Sequence, residues 1–251
     1  MSSLSGKTAV VLGASGTRNF GNEIARTFAR EGANVVVAAR RKEALQALAD
    51  DIGGTAIACD VTDEAQVERL FAATADTYGG VDTAVFSAGI YGPGMIAELT
   101  AEAIRPSLEV SFIGALMFFK HAAAAMVSDG SVITVSSLTA RLPGPGLAAY
   151  AGARAGIDYV IKVAAWEYET QRIRFNSIAA GLIETDMTGG LFEMQPIIDA
   201  HLANTPAGRM GTLEDMAEAA LFLADDQRSG FINGQILDLS GGQHMGRLPR
   251  F

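Results

Sequence analysis

The stretch TAVVLGASGTRNFG, residues 8–21, joins an apolar run to a glycine-rich turn. Thr8 to Leu12 has the β-branched and apolar character of a buried strand, and Gly13 ends it. The segment that follows, Asn22 to Arg30, carries one apolar stripe at helical spacing and leads to a stop at Gly32. A strand, a glycine-rich turn and a helix in this order are typical of the first unit of a parallel sheet.

Short β-rich runs alternate with longer amphipathic segments along the rest of the chain. Seven strands are predicted, at Thr8 to Leu12, Val35 to Ala39, Thr55 to Cys59, Thr83 to Phe86, Ser131 to Val135, Arg174 to Ala179 and Ile236 to Leu239. Predicted helices include Glu64 to Tyr78, Ala148 to Thr170 and Thr212 to Leu223. The pattern predicts an α/β protein with a Rossmann-like, doubly wound parallel sheet, formed by residues 1–251 as a single domain.

Composition narrows the class of function. The formal charge of −9 repels nucleic acid. The apolar runs are short, and Met1 to Gly6 lacks the regions of a signal peptide, so we expect a cytoplasmic protein with no membrane contact. A single cysteine, Cys59, excludes an internal disulfide, and its apolar surroundings favour a buried strand thiol. The histidines at 121, 201 and 244 show no ligand spacing, so no metal site is predicted.

The glycine-rich turn is a candidate nucleotide site. Backbone N–H groups and the dipole at the start of the following helix can hold a pyrophosphate. The candidate residues of this turn are Gly13, Ser15, Arg18, Asn19, Phe20 and Gly21. Taken alone, the motif also fits a tight turn that binds no ligand.

The second predicted strand ends at Ala39, followed by Arg40 and Arg41. A protein that binds NAD usually offers an acidic residue there to the ribose hydroxyls. A cation favours a 2′-phosphate instead, so the sequence predicts NADP(H) over NAD(H), with Arg40 as the binding residue. The two arginines also fit a solvated helix start.

Ser137, Tyr150 and Arg154 form a spaced group suited to proton transfer. Ser137 closes a strand, Tyr150 follows thirteen positions later, and Arg154 comes four positions after Tyr150. Residues i and i+4 of a helix share a face, so the guanidinium can lie beside the phenol and favour its phenolate. Tyr150 would then be the acid or base and Ser137 would hold a substrate oxygen. Each residue alone also fits a strand end or a helix start.

This group resembles the catalytic triad of the short-chain dehydrogenase/reductase family, which is usually Ser, Tyr and Lys. Arg154 stands in place of the lysine, and Ser111 stands in place of an asparagine of the family's proton relay. In that family the tyrosine gives a proton to a carbonyl oxygen while the nicotinamide delivers hydride. Arginine cannot itself release a proton, so water and hydroxyls, including Ser111, would have to supply it.

The resemblance extends over nearly the whole chain and implies further cofactor contacts. Asp60 and Val61 resemble the pair that contacts adenine, and Ala88 and Gly89 keep half of the family's Asn-Asn-Ala-Gly motif. The implied cofactor-binding residues beyond the first turn are Arg40, Asp60, Val61, Ala88, Gly89, Tyr150, Arg154, Gly181, Ile183 and Thr185. The first turn is longer than the family's usual one and is similar in length to that of enoyl-acyl carrier protein reductases.

Two alternatives stay open. A Ser, Tyr and Arg triad also resembles the halohydrin dehalogenases, which share the fold, use no nicotinamide, and form an epoxide from a vicinal halohydrin. Their first loop has a different pattern, however, and Arg40, Asp60 and Ala88 would then have no purpose. The second alternative is a dinucleotide-binding sensor or scaffold that has lost its proton relay.

The sequence therefore predicts an NADP(H)-dependent oxidoreductase that reduces a carbonyl, or oxidises an alcohol, of a small molecule. Apolar residues around the site, such as Leu138, Met187 and Leu191, favour a mostly apolar substrate. A segment around residues 187–205 mixes glycine with large apolar side chains, which is typical of a lid. Broadly apolar helices, and the habits of the family, favour a homo-oligomer, either a dimer or a tetramer.

Overall fold

The structure is a computed structural model that describes residues 3–126 and 129–246. The outer limits of the predicted domain, residues 1 and 251, lie outside the described residues. The strands are β1 (Thr8–Leu12), β2 (Asn34–Ala39), β3 (Thr55–Ala58), β4 (Thr83–Phe86), β5 (Ser131–Ser137), β6 (Arg174–Ala180) and β7 (Ile236–Leu239). They form one parallel sheet in the order β3-β2-β1-β4-β5-β6-β7. The predicted fold class is confirmed, with strand ends within two residues of those predicted.

Helices connect the strands and cover both faces of the sheet. They are α1 (Phe20–Arg30), α2 (Lys42–Ile52), α3 (Glu64–Tyr78), α4 (Ala101–Leu108), α5 (Gly114–Ala125), α6 (Ala148–Glu167), α7 (Gly189–Phe192), α8 (Gln195–Ala203), α9 (Leu213–Ala224) and α10 (Asp226–Ser229). A π-helical turn, Glu109–Ile113, joins α4 to α5. Short 3-10 turns lie at Ile96–Glu98, Leu138–Ala140, Glu169–Gln171 and Gln243–Met245.

Two apolar layers hold the sheet between the helices. Successive strand residues point to opposite faces, so Val11 packs with Phe28 in one layer while Val10 packs with Phe71 and Phe118 in the other. All five side chains are fully buried or nearly so. Burying each such side chain contributes about 1.5–3 kcal/mol, and this fixes the sheet on which the site is built.

The strand order reverses beside β1, and this reversal positions the site. β1 pairs with β2 on one side and with β4 on the other, with Leu12 opposite Ala38 and Phe86. The carboxyl ends of these three strands therefore lie together, and a crevice opens above them where the connections part in opposite directions.

One continuous helical stretch, residues 101–125, is long and apolar enough by composition to cross a membrane. The short apolar runs of the sequence predict no such span. Of its most apolar 18-residue window, 44% is buried inside the fold. The core helix of a protein with no membrane span can be equally long and apolar. Phe118 and Phe119 account for part of this apolarity, since both are buried in the layer beneath β4 and β6.

Helix α9 begins with a charged cap. Thr212 Oγ1 accepts from the Asp215 N–H at 3.1 Å, and Asp215 Oδ2 accepts from the Thr212 N–H at 2.9 Å. The Arg209 guanidinium grips the same carboxylate at 2.6 and 2.8 Å, and this contact lowers the pKa of Asp215 from its ordinary value of 3.8 to about 2. The cap starts a helix that buries Met216 and Ala220 against the sheet.

We expect Asp215→Ala to lower the free energy of unfolding by about 1 kcal/mol at pH 7, because a capping box is lost from a partly exposed site. The pKa of Asp215 is lowered by folding, so its contribution is present above pH 3.8 and is lost as the pH falls toward 2. Urea denaturation at pH 7 and pH 3 measures this. Glu218→Ala, an exposed change on the same helix, is the control and should leave the stability nearly unchanged. An equal loss in both variants would contradict the capping role.

Candidate active site

A cavity of about 580 Å³ lies above the carboxyl ends of β1, β2 and β4 and reaches the start of α6. Predicted site residues in its lining are Gly13, Ser15, Asn19, Phe20, Arg40, Asp60, Val61, Ala88, Gly89, Tyr150, Arg154 and Thr185. The lining also includes Leu12, Gly16, Ala39, Arg41, Cys59, Ser87, Ile90, Val110, Val135, Ser136, Asp186 and Met187. Most of the residues that the sequence marked for a cofactor and for proton transfer therefore share one cavity.

The glycine-rich turn lies directly against the end of β4. Gly13 has a φ of +98°, and a Cβ there would lie 2.7 Å from Ser87 Oγ. A Cβ on Gly21 would lie 2.6 Å from the same oxygen. Ser87 Oγ donates to the Leu12 carbonyl at 2.8 Å, which ties the end of β4 to the end of β1. Glycine at both positions is what permits this close approach.

Two asparagine side chains, Asn19 and Asn22, hold the turn against the start of α1. Asn19 caps α1, its Oδ1 accepting from the Asn22 N–H at 2.8 Å. The Asn22 amide in turn donates to the Gly16 carbonyl at 3.0 Å. Asn19 thus has a local structural role, because its side chain satisfies an N–H at the start of the helix.

Arg18 lies outside the lining and joins the turn to the segment after β6. Its guanidinium pairs with Glu184 at 2.8 Å, and both side chains are largely exposed. The Arg18 N–H donates to the Asp186 carboxylate at 3.3 Å, and the Asp186 N–H donates to the Arg18 carbonyl at 2.8 Å. The predicted contribution of Arg18 to a phosphate site is therefore opposed by two carboxylates.

The part of the cavity at the end of β2 is basic, because Arg40 and Arg41 line it. Arg40 is exposed and forms no ion pair with any described residue. Arg41 Nε donates to Ser15 Oγ at 3.2 Å and so leans over the glycine-rich turn. Nearby, Asp60 Oδ1 accepts from the N–H and the hydroxyl of Thr62 at 3.0 and 2.8 Å. A free guanidinium at the end of β2 can bind an added phosphate in two-point fashion.

Arg154 is buried, with 4% of its surface exposed, beside the ring of Tyr150. Its Nη1 donates to the Val135 carbonyl at 2.8 Å and its Nη2 to the Ala88 carbonyl at 3.3 Å. Its guanidinium carbon lies 5.3 Å from the centroid of the Tyr150 ring, within the range of a cation–π contact. A Cβ on Gly89 would overlap Arg154 Nη2, so that glycine makes room for the cation.

Ser137 and Ser111 lie outside the lining. Ser137 Oγ accepts from the N–H and the hydroxyl of Thr139 at 3.2 and 2.9 Å and caps the short turn after β5. Ser111 lies in the π-helical turn, fully buried, and its Oγ has no partner among the described residues. It lies behind Gly89, whose Cβ would be 3.7 Å from Ser111 Oγ. The π-helical turn brings it toward Arg154, and such turns are frequent at functional sites.

Gly21 supports the turn from outside the lining, while Gly181 and Ile183 border a separate cavity of about 170 Å³. Thr185 lines the main cavity just before the predicted lid at residues 187–205, and its N–H donates to Thr188 Oγ1 at 2.9 Å. Cys59 also lines the cavity, and burial raises the pKa of its thiol to about 12, which keeps it protonated. Among the described residues, no group of three or more His, Cys, Asp or Glu could hold a metal ion.

Three polar residues at or near the cavity are not among the site residues predicted from the sequence. Ser136 and Asp186 line the cavity, and Asp158 lies buried on α6 one turn after Arg154. An acidic residue within the apolar stripe of a helix, four positions from the arginine, was a signal in the sequence. Ser136 was not predicted, because the spacing to Tyr150 selects its neighbour Ser137.

Comparison with known proteins supplies the family. A family model described as enoyl-(acyl carrier protein) reductase matches residues 13–244. The 3-oxoacyl-(acyl-carrier-protein) reductase FabG of Escherichia coli is 34% identical over 244 residues, 96% of this chain and 98% of that protein. Carbonyl reductase family member 4 of Danio rerio is 32% identical over 240 residues, 94% of this chain and 97% of that protein. A short-chain type dehydrogenase/reductase from Mycobacterium marinum has a TM-score of 0.88 at 31% identity, covering 96% of each chain.

Gly89→Ala tests the space reserved for Arg154. The added methyl would overlap the guanidinium, so we expect a loss of about 1–3 kcal/mol in the free energy of unfolding and displacement of the Tyr150–Arg154 pair. Gly92→Ala, in the same connection, is a matched control, because its Cβ would meet nothing closer than 3.8 Å. Urea denaturation of both variants measures the difference. Equal stability of the two variants would show that Arg154 is not confined there.

Proposed function

Because this chain belongs to the short-chain dehydrogenase/reductase superfamily, we propose that it is an NADP(H)-dependent oxidoreductase that reduces a carbonyl, or oxidises an alcohol, of a mostly apolar small molecule. At family level the chain is an NAD(P)H-dependent reductase, since its relatives are oxidoreductases. One observation carries the finer proposal, namely that a single cavity extends from Arg40 to Tyr150. The end at Arg40 suits the 2′-phosphate of the cofactor, and the end at Tyr150 suits the reacting groups.

The residues of the cavity fit a dinucleotide. Gly13 and Gly21 leave the backbone of the first turn uncovered beside the end of β4, where a pyrophosphate would lie. Arg40 would hold the 2′-phosphate and Asp60 would lie by the adenine. Ala88 and Gly89 are small enough to admit a ribose beside Arg154. When bound, this cofactor supplies the hydride that is added to the carbonyl carbon.

Tyr150 would give its proton to the substrate oxygen in reduction and take it back in oxidation. Ser137 accepts two hydrogen bonds from Thr139, so its own hydroxyl proton stays free to donate to the same substrate oxygen. Arg154 is held by two backbone carbonyls, and its positive charge stabilises the phenolate that remains. Arg154 cannot release a proton, so we assign the passage of protons to the buried, unpartnered hydroxyl of Ser111, which lies behind Gly89.

The substrate would enter beneath α7 and α8, which form the proposed lid at residues 187–205. Three large apolar side chains of this segment, Met187, Leu191 and Met194, are 38–51% exposed. Tyr91 is 45% exposed, and its ring lies 5.9 Å from that of Tyr150 in an edge contact. An apolar rim around a proton donor favours an apolar substrate over a phosphorylated one or a sugar.

The assembly and the location are also proposals. Tyr159, Val163 and Trp166 share one face of α6 and are 41–76% exposed, and Phe231 is fully exposed. Apolar faces of this kind suit contacts with further copies of the chain, and relatives in this family are commonly oligomeric. We propose a homo-oligomer, a dimer or a homotetramer, that works in the cytoplasm on a small molecule, without nucleic acid or a membrane.

Cofactor choice is tested by titrating the protein with NADPH and NADH and following the nucleotide by calorimetry and fluorescence. We expect Arg40→Ala to weaken NADPH binding about tenfold and to leave NADH binding unchanged, because only NADPH carries the 2′-phosphate. Lys42→Ala, an exposed cation two positions along that is absent from the lining, is the control. If NADH binds more tightly than NADPH to the unaltered protein, the proposed cofactor preference is wrong.

Tyr150→Phe tests the chemistry. We expect turnover on a panel of carbonyl compounds and alcohols to fall at least about a hundredfold, because the proton donor is removed. The dissociation constant of NADPH should stay within about threefold, since the phenol is one contact among many. A variant that keeps the rate of hydride transfer would exclude Tyr150 as the acid or base. If the protein binds a halide but binds neither NADPH nor NADH, the proposed oxidoreductase function is wrong.

A further inference from the structure

Asp158 is a buried carboxyl that the proposed reaction does not yet use. It lies on the sheet side of α6, 6% exposed, between the fully buried Ile157 and Ile161. Its Oδ1 accepts from Ser177 Oγ at 2.7 Å, while its Oδ2 has no partner among the described residues. An apolar side chain would fill this position at lower cost, because an incompletely paired buried carboxyl is unfavourable.

The charged and polar groups that face Asp158 come from β5, β6, α6 and the segment that follows β5. Burial raises the pKa of Asp158, and the hydroxyls of Ser177 on β6 and Ser136 on β5 oppose the rise, followed by Arg141 and Arg154. Ser136 Oγ does not complete a hydrogen bond of normal geometry. Arg141 is itself paired with Asp238 on β7 at 2.7 Å. Arg154 is the cation one helical turn away on the same helix.

Arg154 has no carboxylate within ion-pair distance among the described residues. Its two hydrogen bonds go to backbone carbonyls, and its Nε, like Asp158 Oδ2, is buried and unpartnered. The full charge of the guanidinium therefore acts on its surroundings at close range, where solvent screens little. Tyr150 and Asp158 lie one turn before and one turn after it along α6.

We propose that Asp158 is a positioning residue for the Tyr150–Arg154 pair, whose carboxylate offsets part of the Arg154 charge and so sets how firmly the Tyr150 phenol holds its proton. In reduction the phenol must carry that proton until the substrate oxygen takes it. A permanent guanidinium beside the phenol favours early loss of the proton, and a negative charge two turns away restrains it. The consequence for the reduction rests on the proposed function, whereas the electrostatic effect of Asp158 on Tyr150 does not.

Asp158→Asn removes the charge and keeps the shape and the acceptor for Ser177. Arg154 stays in place in this variant, because two carbonyls and the space at Gly89 confine it. Phenols titrate in an alkaline range in which the carboxylate of the unaltered protein is ionised. Eight helical residues span about 12 Å, and a unit charge at that distance shifts a titration midpoint by about half a pH unit at low salt.

The experiment records phenolate absorbance against pH for the unaltered protein and for Asp158→Asn, and subtracts the matching curve with Tyr150→Phe. We expect the Asp158→Asn midpoint to fall by about half a pH unit, and this shift should shrink at high salt. Glu167→Gln, an equal change of charge at an exposed position of α6, should leave the midpoint unchanged. Asp158→Leu fills the same position with an apolar side chain, should show the same fall, and serves if Asp158→Asn fails to fold.

A midpoint that is unchanged or raised in whichever variant folds would overturn the inference, as would an equal shift in Glu167→Gln. The titration needs no cofactor or substrate, so it stays decisive even if the protein proves not to be an oxidoreductase. If the proposed reaction is found, the alkaline fall of its reduction rate should move to lower pH by the same amount in Asp158→Asn. If the phenolate midpoint moves but the pH dependence of the reduction rate does not, Asp158 is coupled to Tyr150 electrostatically but does not influence the reaction.

Discussion

The burial of the Arg154 guanidinium is the constraint on which the rest of the site depends. A cation that cannot lose its charge must find acceptors wherever the fold places it. Two backbone carbonyls supply them, one from β5 at Val135 and one after β4 at Ala88. These two bonds fix the start of α6 against two strand ends at once, and they set the ring of Tyr150 beside the cavity. Gly89 is small because the cation needs the space.

The fold could be predicted from local pattern because each element carries its own signal. Thr8 to Leu12 is β-branched and apolar, and the glycine-rich turn follows it directly. The departures from the family's motifs needed the structure, since their partners are distant in sequence or depend on geometry. Ser87 bonds to the Leu12 carbonyl, 75 residues away. Asn19 proves to be a helix cap, which a count of glycines does not reveal.

Parts of the site lay beyond what residue spacing can show. Ser111 lies in a π-helical turn, and no residue spacing in the sequence indicates such a turn. Ser137 was chosen by its distance in sequence from Tyr150, and nothing in that distance shows that its oxygen caps the following turn. Charge and position in the glycine-rich turn make Arg18 a candidate phosphate ligand, but its carboxylate partners come from the segment after β6, more than 160 residues along the chain.

Those partners link the glycine-rich turn to the segment that follows β6. The N–H and carbonyl of Arg18 are both bonded to Asp186, and its guanidinium holds Glu184. Neither the glycine-rich turn nor the strand exit at residues 184–186 can shift without breaking these bonds or dragging the other along. The proposed cofactor and the proposed substrate would therefore reach the cavity past one shared set of contacts, those that join Arg18 to Glu184 and Asp186.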